Sequence, residues 1–177
     1  MERVPTNIPD VLLFRPKRHG DARGFFSEIF NADALKEFGI DFRVVQENHS
    51  RSAARLTLRG LHFQRAPYAQ AKLVRVLRGA LLDVAVDLRQ GSSTYGHYVA
   101  AELSDENGLQ MLVPKGFAHG LLTLTADTDV LYLVDHRYVP EAEDGVRWDD
   151  PTLEIDWKLG SEQPVINDRD LTWPLLT

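Results

Sequence analysis

Residues 72–88 decide the fold class, and they read Lys72-Leu73-Val74-Arg75-Val76-Leu77-Arg78-Gly79-Ala80-Leu81-Leu82-Asp83-Val84-Ala85-Val86-Asp87-Leu88. Two short runs, 72–77 and 81–88, are rich in β-branched and aliphatic side chains and are separated by a Gly-containing turn. Runs of this length between turn residues are typical of β-strands. The stretch therefore predicts two strands joined by a tight connection.

The same pattern recurs along most of the chain. Further strands are predicted at 44–50, 58–64, 98–103, 110–113 and 130–138, with turn residues at 90–93, 104–108 and 126–127. One short helix is predicted at 32–38, with Asn31 as its N-cap and Gly39 as its stop. Many short strands with regular turns favour an antiparallel sandwich or barrel, and the lack of a GxGxxG turn argues against a parallel Rossmann sheet.

Length and composition limit the class of protein. At roughly 100 to 200 residues per domain, the 177 residues predict one domain over 1–177. The chain is 44% hydrophobic and 26% charged, with a net charge of −6, so we expect an ordinary globular protein without a broad nucleic-acid-binding surface. No apolar run approaches a membrane span, and the start does not resemble a signal peptide. The absence of cysteine excludes thiol catalysis and suggests a cytoplasmic location.

Two titratable residues stand out in apolar surroundings. His62 lies in Leu58-Arg59-Gly60-Leu61-His62-Phe63-Gln64, and Lys72 opens the next apolar run. A hairpin centred on Pro67 would place His62 opposite Lys72, with their Cβ atoms about 4.5 to 5.5 Å apart. Strict alternation would put Arg59 on the other face, unless Gly60 marks a β-bulge. The alternative is a strand face that simply exposes both side chains to water.

Other polar residues allow two interpretations each. Gln46, Asn48 and Ser50 alternate along one strand, so they share a face that is either solvated or part of a site. Tyr132 lies among aliphatic residues, which is typical either of a core tyrosine with a satisfied hydroxyl or of a functional one. Asp170 alone would be interpreted as a surface residue.

A turn motif identifies a known barrel. Gly108, five residues, and then Pro114-Lys115-Gly116-Phe117-Ala118-His119 resemble the second cupin motif, G-x5-P-x-G-x2-H. The resemblance implies an all-β fold, a cupin-like antiparallel jelly-roll barrel with a few short helices. The first cupin motif is defective as a metal site, because Gln64 and Gln70 stand where ligands are expected. His62 and His119 alone are too few for a catalytic metal, which needs about three protein ligands. We therefore expect no metal.

A longer resemblance runs almost from end to end. The chain resembles the dTDP-4-dehydrorhamnose 3,5-epimerase family in several motifs that occur in order. They include Asp21-Ala22-Arg23-Gly24-Phe25-Phe26-Ser27-Glu28, Gln46-Glu47-Asn48-His49-Ser50, Leu58-Arg59-Gly60-Leu61-His62-Phe63-Gln64, Gln70-Ala71-Lys72-Leu73-Val74, Asp83-Val84-Ala85-Val86-Asp87-Leu88-Arg89, residues 114–120 and Trp148-Asp149-Asp150-Pro151.

The resemblance implies a cofactor-free epimerase acting on a dTDP-4-keto-6-deoxy sugar, as in deoxysugar or rhamnose biosynthesis. His62 resembles the general base, and Asp170 resembles its orienting carboxylate. Lys72 would stabilise the C4 oxyanion, and Tyr132 would return a proton to the other face. His119 matches a second active-site histidine that positions the sugar or Lys72.

The family pattern also implies a nucleotide site and a homodimer. The implied binding residues are Arg23, Phe25, Glu28, Gln46, Asn48, Arg59, Tyr138, Glu143 and Arg169. Arg59 and Arg169 would bind the diphosphate, although many relatives have Lys at the second position, and Asn167 replaces a common Ser. Phe25 and Tyr138 could stack on the thymine. The N-terminal strands of such dimers cross over, so Arg23 and Phe25 are expected to complete the neighbouring site.

Several functions share these residues. A relative that inverts only C3 or only C5 would use the same His62, Lys72 and Tyr132, as would a dTDP-sugar ketoisomerase on the same barrel. A metal-dependent cupin oxygenase is disfavoured by the missing ligands. A non-catalytic sugar-binding module would have no need for His62, Lys72, Tyr132 and Asp170 together. Partners other than the substrate and a second copy are not expected.

Overall fold

The computed structural model describes residues 1–176 and consists mainly of β-strands. The strands are β1 (Glu2–Val4), β2 (Leu12–Arg15), β3 (Arg18–Asp21), β4 (Gly24–Ser27), β5 (Gln46–Ser52), β6 (Leu58–Gln64), β7 (Lys72–Arg78), β8 (Ala80–Asp87), β9 (Tyr98–Ser104), β10 (Gln110–Val113), β11 (Phe117–Thr123), β12 (Thr128–Val134) and β13 (Glu143–Gly145). The helices are α1 (Ala32–Glu37) and α2 (Asp168–Leu171), with a 3-10 turn at Pro140–Ala142. None of the helices in this part of the chain is long and apolar enough to cross a membrane.

The strands form two sheets and one separate hairpin. The larger sheet has the order β1-β2-β10-β7-β12-β5, the smaller has the order β13-β6-β11-β8-β9, and β3 pairs only with β4. All these pairs are antiparallel. The predicted all-β, cupin-like antiparallel jelly-roll barrel with a few short helices is confirmed.

Apolar side chains fill the barrel and cover both sheets from outside. Val74 of the larger sheet and Ala85 of the smaller belong to one core cluster between the sheets. Leu35 of α1 packs over the outer face of the larger sheet, and Trp157 packs over the smaller sheet. Because both faces of β8 are covered, every residue after Ala80 in that strand is buried. This explains why the sequence there is almost continuously apolar.

Helix α1 forms as predicted and ends one residue early. The Asn31 side chain accepts the backbone N–H groups of Asp33 and Ala34 at 3.0 and 3.1 Å, which satisfies two free donors of the first turn. Gly39 follows the helix with a φ of +77°, a conformation that favours glycine.

Most predicted strands are confirmed, with shifted ends. β10 has the predicted bounds, β7 and β9 each end one residue late, and β8 begins and ends one residue early. β5 begins and ends two residues late, and β12 ends at Val134 instead of 138. β12 stops there because Asp135 turns away, with its carboxylate accepting the Ala71 N–H at 2.8 Å and pairing with Lys115 at 2.8 Å. Residues 135–139 form a loop beside the barrel opening.

The predicted hairpin between His62 and Lys72 is wrong. β6 lies in the smaller sheet between β13 and β11, whereas β7 lies in the larger sheet between β10 and β12. His62 is therefore opposite His119 on one side and Gly145 on the other. Residues 65–71 cross from one sheet to the other instead of turning back. Each strand thereby pairs its backbone groups on both edges, which a hairpin alone would not achieve.

Candidate active site

A cavity of about 360 Å³ opens between the two sheets and is lined by side chains from both. Eleven of the fourteen predicted site residues line it: Gln46, Asn48, Arg59, His62, Lys72, His119, Tyr132, Tyr138, Glu143, Arg169 and Asp170. The polar stripe of β5 and the charged positions of β6 and β7 therefore face one common space and not bulk solvent.

His62 and Asp170 form a hydrogen-bonded pair at the cavity wall. Nε2 of His62 lies 2.7 Å from Oδ1 of Asp170, which is fully buried at the start of α2. The other carboxylate oxygen accepts the Gly60 N–H at 3.0 Å. Burial alone would raise the pKa of Asp170, but the hydrogen bonds from His62 and Gly60 lower it below its usual value. Asp170 is thus an anion that orients the imidazole, and Nδ1 is the ring nitrogen left for a proton.

A β-bulge at Gly60 brings Arg59 and His62 to the same face. His62 pairs with His119, but Arg59 pairs with Leu121, so β6 has one residue more than β11 over this stretch. Gly60 has a φ of +113°, and a Cβ there would lie 2.6 Å from the His119 carbonyl oxygen. No other residue fits this position without displacing backbone. The sequence left open whether strict alternation or a bulge applies here; the bulge is present, and it explains how both side chains reach the cavity.

Lys72 and Tyr132 reach the cavity from the larger sheet, opposite His62. Burial lowers the pKa of Lys72 to about 8, against the opposing effect of Asp83 and Glu143. Burial also raises the pKa of Tyr132, which the Arg59 charge partly offsets. Neither side chain makes a hydrogen bond or ion pair with any residue in the described range 1–176. Both polar ends are therefore available to a ligand, and Tyr132 is not a core residue with a satisfied hydroxyl.

A second histidine–carboxylate pair lies behind the cavity. Nε2 of His119 is 2.7 Å from Oδ1 of Asp83, and Asp83 is fully buried in β8. Asp83 is not among the predicted site residues. Its signal was an acidic residue within an apolar strand, but Asp87 of the same strand carries that signal too and instead binds Arg89 at 2.7 Å. The sequence alone does not show which of these two aspartates binds the histidine of the site and which binds an arginine.

Polar side chains at the cavity rim are linked to one another. The Tyr138 hydroxyl donates to Oε2 of Glu143 at 2.7 Å, and Arg169 Nη1 donates to the same oxygen at 2.8 Å. The hydrogen bond to Glu143 raises the pKa of Tyr138. Arg59 is held by Ser52 Oγ at 3.3 Å. Two guanidinium groups in one cavity, those of Arg59 and Arg169, suit an anionic group such as a diphosphate.

Three predicted binding residues do not line the cavity of their own chain. Arg23 lies on the β3–β4 hairpin, where it pairs with Asp21. Phe25 is on the same hairpin and is 62% exposed. Glu28 follows the hairpin and accepts a hydrogen bond from Asn31 at 3.1 Å. Within one chain, none of these three side chains lines the cavity.

The glutamines at the positions of cupin metal ligands bind backbone atoms. Gln64 Nε2 donates to the carbonyl oxygens of Tyr68 at 2.7 Å and Arg137 at 3.2 Å. Gln70 Nε2 donates to the carbonyl oxygen of His136. Over residues 1–176, no group of three or more His, Asp or Glu side chains is arranged to hold a metal ion.

Trp173 is a further neighbour of the site that the sequence analysis missed. Its ring meets the His62 ring edge-on, with centroids 5.9 Å apart. A Cβ on Gly145 would come within 2.5 Å of the Trp173 ring, so this glycine makes the packing possible. The contact lies between residues distant in the sequence, and no local pattern signals it.

Comparisons with known proteins agree on one family. The model of the dTDP-4-dehydrorhamnose 3,5-epimerase family matches residues 5–177. The dTDP-4-dehydrorhamnose 3,5-epimerase of Sinorhizobium fredii is 50% identical over 96% of this chain and 87% of its own.

Solved structures give the same result. The Bacillus anthracis enzyme of that name, with TDP and PPi bound, superposes with a TM-score of 0.95 at 44% identity and covers 99% of both chains. A Legionella pneumophila dTDP-6-deoxy-D-glucose-3,5-epimerase, in complex with dTDP-4-keto-L-rhamnose, gives 0.93 at 44% identity over 98% of this chain and 92% of its own. A 3'-monoepimerase from Streptomyces bikiniensis with dTDP-quinovose gives 0.90 at 35% identity over 97% and 86%.

Proposed function

The chain belongs to the dTDP-4-dehydrorhamnose 3,5-epimerase family, and from this premise we propose that its cavity inverts C3, C5 or both in a dTDP-4-keto-6-deoxyhexose. One observation carries the proposal: the His62–Asp170 pair and Tyr132 line the same cavity from opposite sheets. Inversion requires removal of a proton from one face and its return to the other. Two proton-handling groups on two sides of a cavity are suited to that requirement.

In this proposal His62 is the base. A carbon next to a ketone loses a proton readily if the resulting enolate is stabilised. Nδ1 of His62 takes the proton while Nε2 stays bonded to Asp170. The buried carboxylate then stabilises the imidazolium that forms.

Lys72 and Tyr132 complete the step. The Lys72 ammonium stabilises negative charge on the C4 oxygen of the enolate. Tyr132 then donates its hydroxyl proton to the opposite face of the carbon; solvent reprotonates Tyr132 and takes up the proton that His62 removed. One proton leaves and one returns, so the sum needs neither an oxidant nor a reductant. Hence we propose a reaction that uses no cofactor.

Binding of the nucleotide would use the cavity rim and a second chain. Arg59 and Arg169 bind the diphosphate, and the half-exposed Tyr138 stacks on the thymine. Gln46, Asn48 and Glu143 order this rim. We also propose a homodimer in which the exposed β3–β4 hairpin carries Arg23 and Phe25 to the partner's cavity, with Glu28 beside it. A monomer in light scattering at micromolar concentration would contradict the dimer.

Turnover of dTDP-4-keto-6-deoxyglucose in heavy water tests the proposal. We expect deuterium at C3, C5 or both, with inversion at the labelled centre in the product NMR spectrum. The structural similarity to a 3'-monoepimerase keeps single-centre inversion as the second candidate, and the same spectrum separates the two. A ketone moved along the ring would indicate a ketoisomerase. Binding of dTDP without any exchange would indicate a binding module and overturn the proposal.

A further inference from the structure

Glutamine side chains hold the loop that carries Tyr138. Three glutamines do so: Gln46, Gln64 and Gln70. Gln46 Oε1 accepts the Tyr138 N–H at 3.0 Å, and Gln70 donates to the carbonyl oxygen of His136. Each of these two makes a single bond to the loop.

Gln64 makes two bonds to the loop, one on each side of Tyr138. Its Nε2 donates to the Arg137 carbonyl oxygen at 3.2 Å, and its Oε1 accepts the Val139 N–H at 2.6 Å. A further bond from Nε2 to the Tyr68 carbonyl oxygen, at 2.7 Å, fixes the amide against the neighbouring crossing segment. Gln64 is only 6% exposed, so water cannot readily replace these partners.

We propose that Gln64 is a positioning residue that holds Tyr138 in place for stacking on the nucleotide base. The inference rests on the proposed function, because it needs Tyr138 to contact the base. Tyr138 itself is 46% exposed, and its side chain is held at the tip by the hydrogen bond from its hydroxyl to Glu143. Gln64 fixes its backbone as well, on one side through Arg137 and on the other through Val139. A ring held in the bound orientation before the ligand arrives avoids the entropy cost of ordering on binding.

The position of Gln64 in the sequence supports this role. It follows His62 by two residues in β6 and faces the same cavity, at the position of a metal ligand in the first cupin motif. Both amide N–H donors and the amide oxygen are engaged by backbone. The Gln64 side chain thus links the strand that carries His62 to the loop that carries the Tyr138 ring.

A double-mutant cycle tests the proposal, with dTDP affinity measured by calorimetry. Tyr138→Ala should weaken dTDP binding about tenfold or more, as for loss of base stacking. Gln64→Met keeps the length but loses the hydrogen bonds, and it should weaken dTDP binding severalfold while kcat at saturating substrate stays near that of the unaltered protein. In the Tyr138→Ala background, Gln64→Met should have no further effect on affinity.

The controls separate positioning from lost stability. Thr123→Val removes bonds to the Thr57 N–H and the Ala54 carbonyl oxygen at a fully buried position that does not line the cavity. It should lower the melting temperature and leave dTDP affinity unchanged. Gln64→Glu provides a second, nearly isosteric variant, because its carboxylate cannot donate to Arg137, and it should reproduce the loss of affinity.

The outcomes are distinct. The positioning role is overturned if Gln64→Met weakens dTDP binding by the same factor in the presence and absence of the Tyr138 ring. It is also overturned if a folded Gln64 variant binds dTDP as tightly as the unaltered protein. If the unaltered protein binds dTDP but does not turn over the keto sugar, the proposed function fails and the cycle still tests Gln64. If the unaltered protein does not bind dTDP, both proposals are wrong.

Discussion

The carboxylate of Asp170 lies 2.7 Å from the imidazole of His62, although the two residues are 108 positions apart in the chain. The helix that presents Asp170 is capped by Asn167, whose side chain accepts the Asp170 N–H at 2.7 Å. This cap fixes the backbone of Asp170, and the Gly60 N–H fixes its second oxygen. The orientation of the imidazole is thus set by three contacts that belong to the protein and not to the substrate.

His62→Asn should abolish both epimerisation and deuterium uptake from heavy water. Asparagine cannot accept a proton at neutral pH, so no enolate forms. Mass spectrometry of recovered substrate measures uptake, and NMR measures inversion. Full inversion by this variant would refute the mechanism as a whole.

Tyr132→Phe should behave differently from His62→Asn. The enolate still forms, and His62 can return a solvent-derived deuteron to the face from which the proton came. We expect deuterium uptake with inversion reduced by about 10² to 10⁴. Equal loss of uptake and inversion would leave Tyr132 as a binding or structural residue.

The alkaline limb of the pH–rate profile should report Lys72. Burial lowers the pKa of this ammonium to about 8, so its charge is lost above that pH and stabilisation of the oxyanion is lost with it. We expect kcat/KM to fall above about pH 8, while Tyr132 stays protonated because burial raises its pKa. The weakly active Lys72→Gln should lack this limb. The exposed Lys158→Gln should retain it, and a profile flat to pH 9.5 would contradict the assignment.

Arg59→Ala should weaken the binding of substrate and of free dTDP by equal factors. The diphosphate is bound similarly in the ground and transition states, and a charge-assisted hydrogen bond contributes about 1.5 to 3 kcal/mol. Calorimetry with dTDP and steady-state KM values measure the two effects. Arg55→Ala is the matched control, because Arg55 pairs with Glu162 outside the cavity. If turnover falls while dTDP affinity holds, Arg59 has a chemical role instead.

Gly60→Ala should destabilise the fold by at least about 2 kcal/mol and abolish activity. The backbone at position 60 has a φ of +113°, which is unfavourable for alanine. The new Cβ would also lie 2.6 Å from the His119 carbonyl oxygen and 2.7 Å from the Gly120 Cα. Denaturant unfolding measures the loss. Gly91→Ala separates the two causes, because Gly91 also has a positive φ but has open space around it. Similar losses for both variants would show that the close approach to β11 is unimportant.

Mixed dimers test whether the β3–β4 hairpin serves the neighbouring cavity. Arg23→Ala and His62→Asn chains should each be poorly active alone at low substrate concentration. Co-expressed with different tags, they should form mixed dimers in which one cavity has an intact His62 and an intact partner hairpin. With random assortment, about half of the dimers are mixed and each has one intact site, so about a quarter of all sites regain activity. Mixed dimers without restored activity would show that the hairpin does not act across the interface.

Local features could be predicted from the sequence, and contacts between distant segments could not. The Asn31 cap depends on neighbouring residues, and the structure confirms it. The β5 stripe and a bulge at Gly60 also have local signals, but the sequence left two interpretations of each, and the structure shows a cavity-lining stripe and a bulge. The path of residues 65–71 depends on which strands lie on either side of β6 and β7. A ten-residue spacing is compatible with a hairpin or with a crossing, so the spacing alone does not show that β6 and β7 lie in different sheets.

For the site too, local features could be predicted and contacts between distant segments could not. His62, Lys72 and Tyr132 carried local signals as polar groups in apolar runs, but their common cavity came from the family resemblance. Asp83 and Trp173 act through neighbours that are remote in sequence, on β11 and β6. Only the packed barrel shows these contacts.

If His62 is the base and Tyr132 the acid, as proposed, their placement on separate sheets has a consequence for the evolution of stereochemical selectivity. Packed sheets lie about 10 Å apart, so a sugar ring between them presents one face to His62 and the other to Tyr132. In the proposed mechanism, the sugar ring turns to present C3 or C5 to His62, and neither side chain has to move. A lineage could therefore change which centre it inverts through wall positions such as Ser50 and Leu121, with its acid and base untouched. Directed evolution of an epimerase for new deoxysugar stereoisomers should therefore vary these wall positions first.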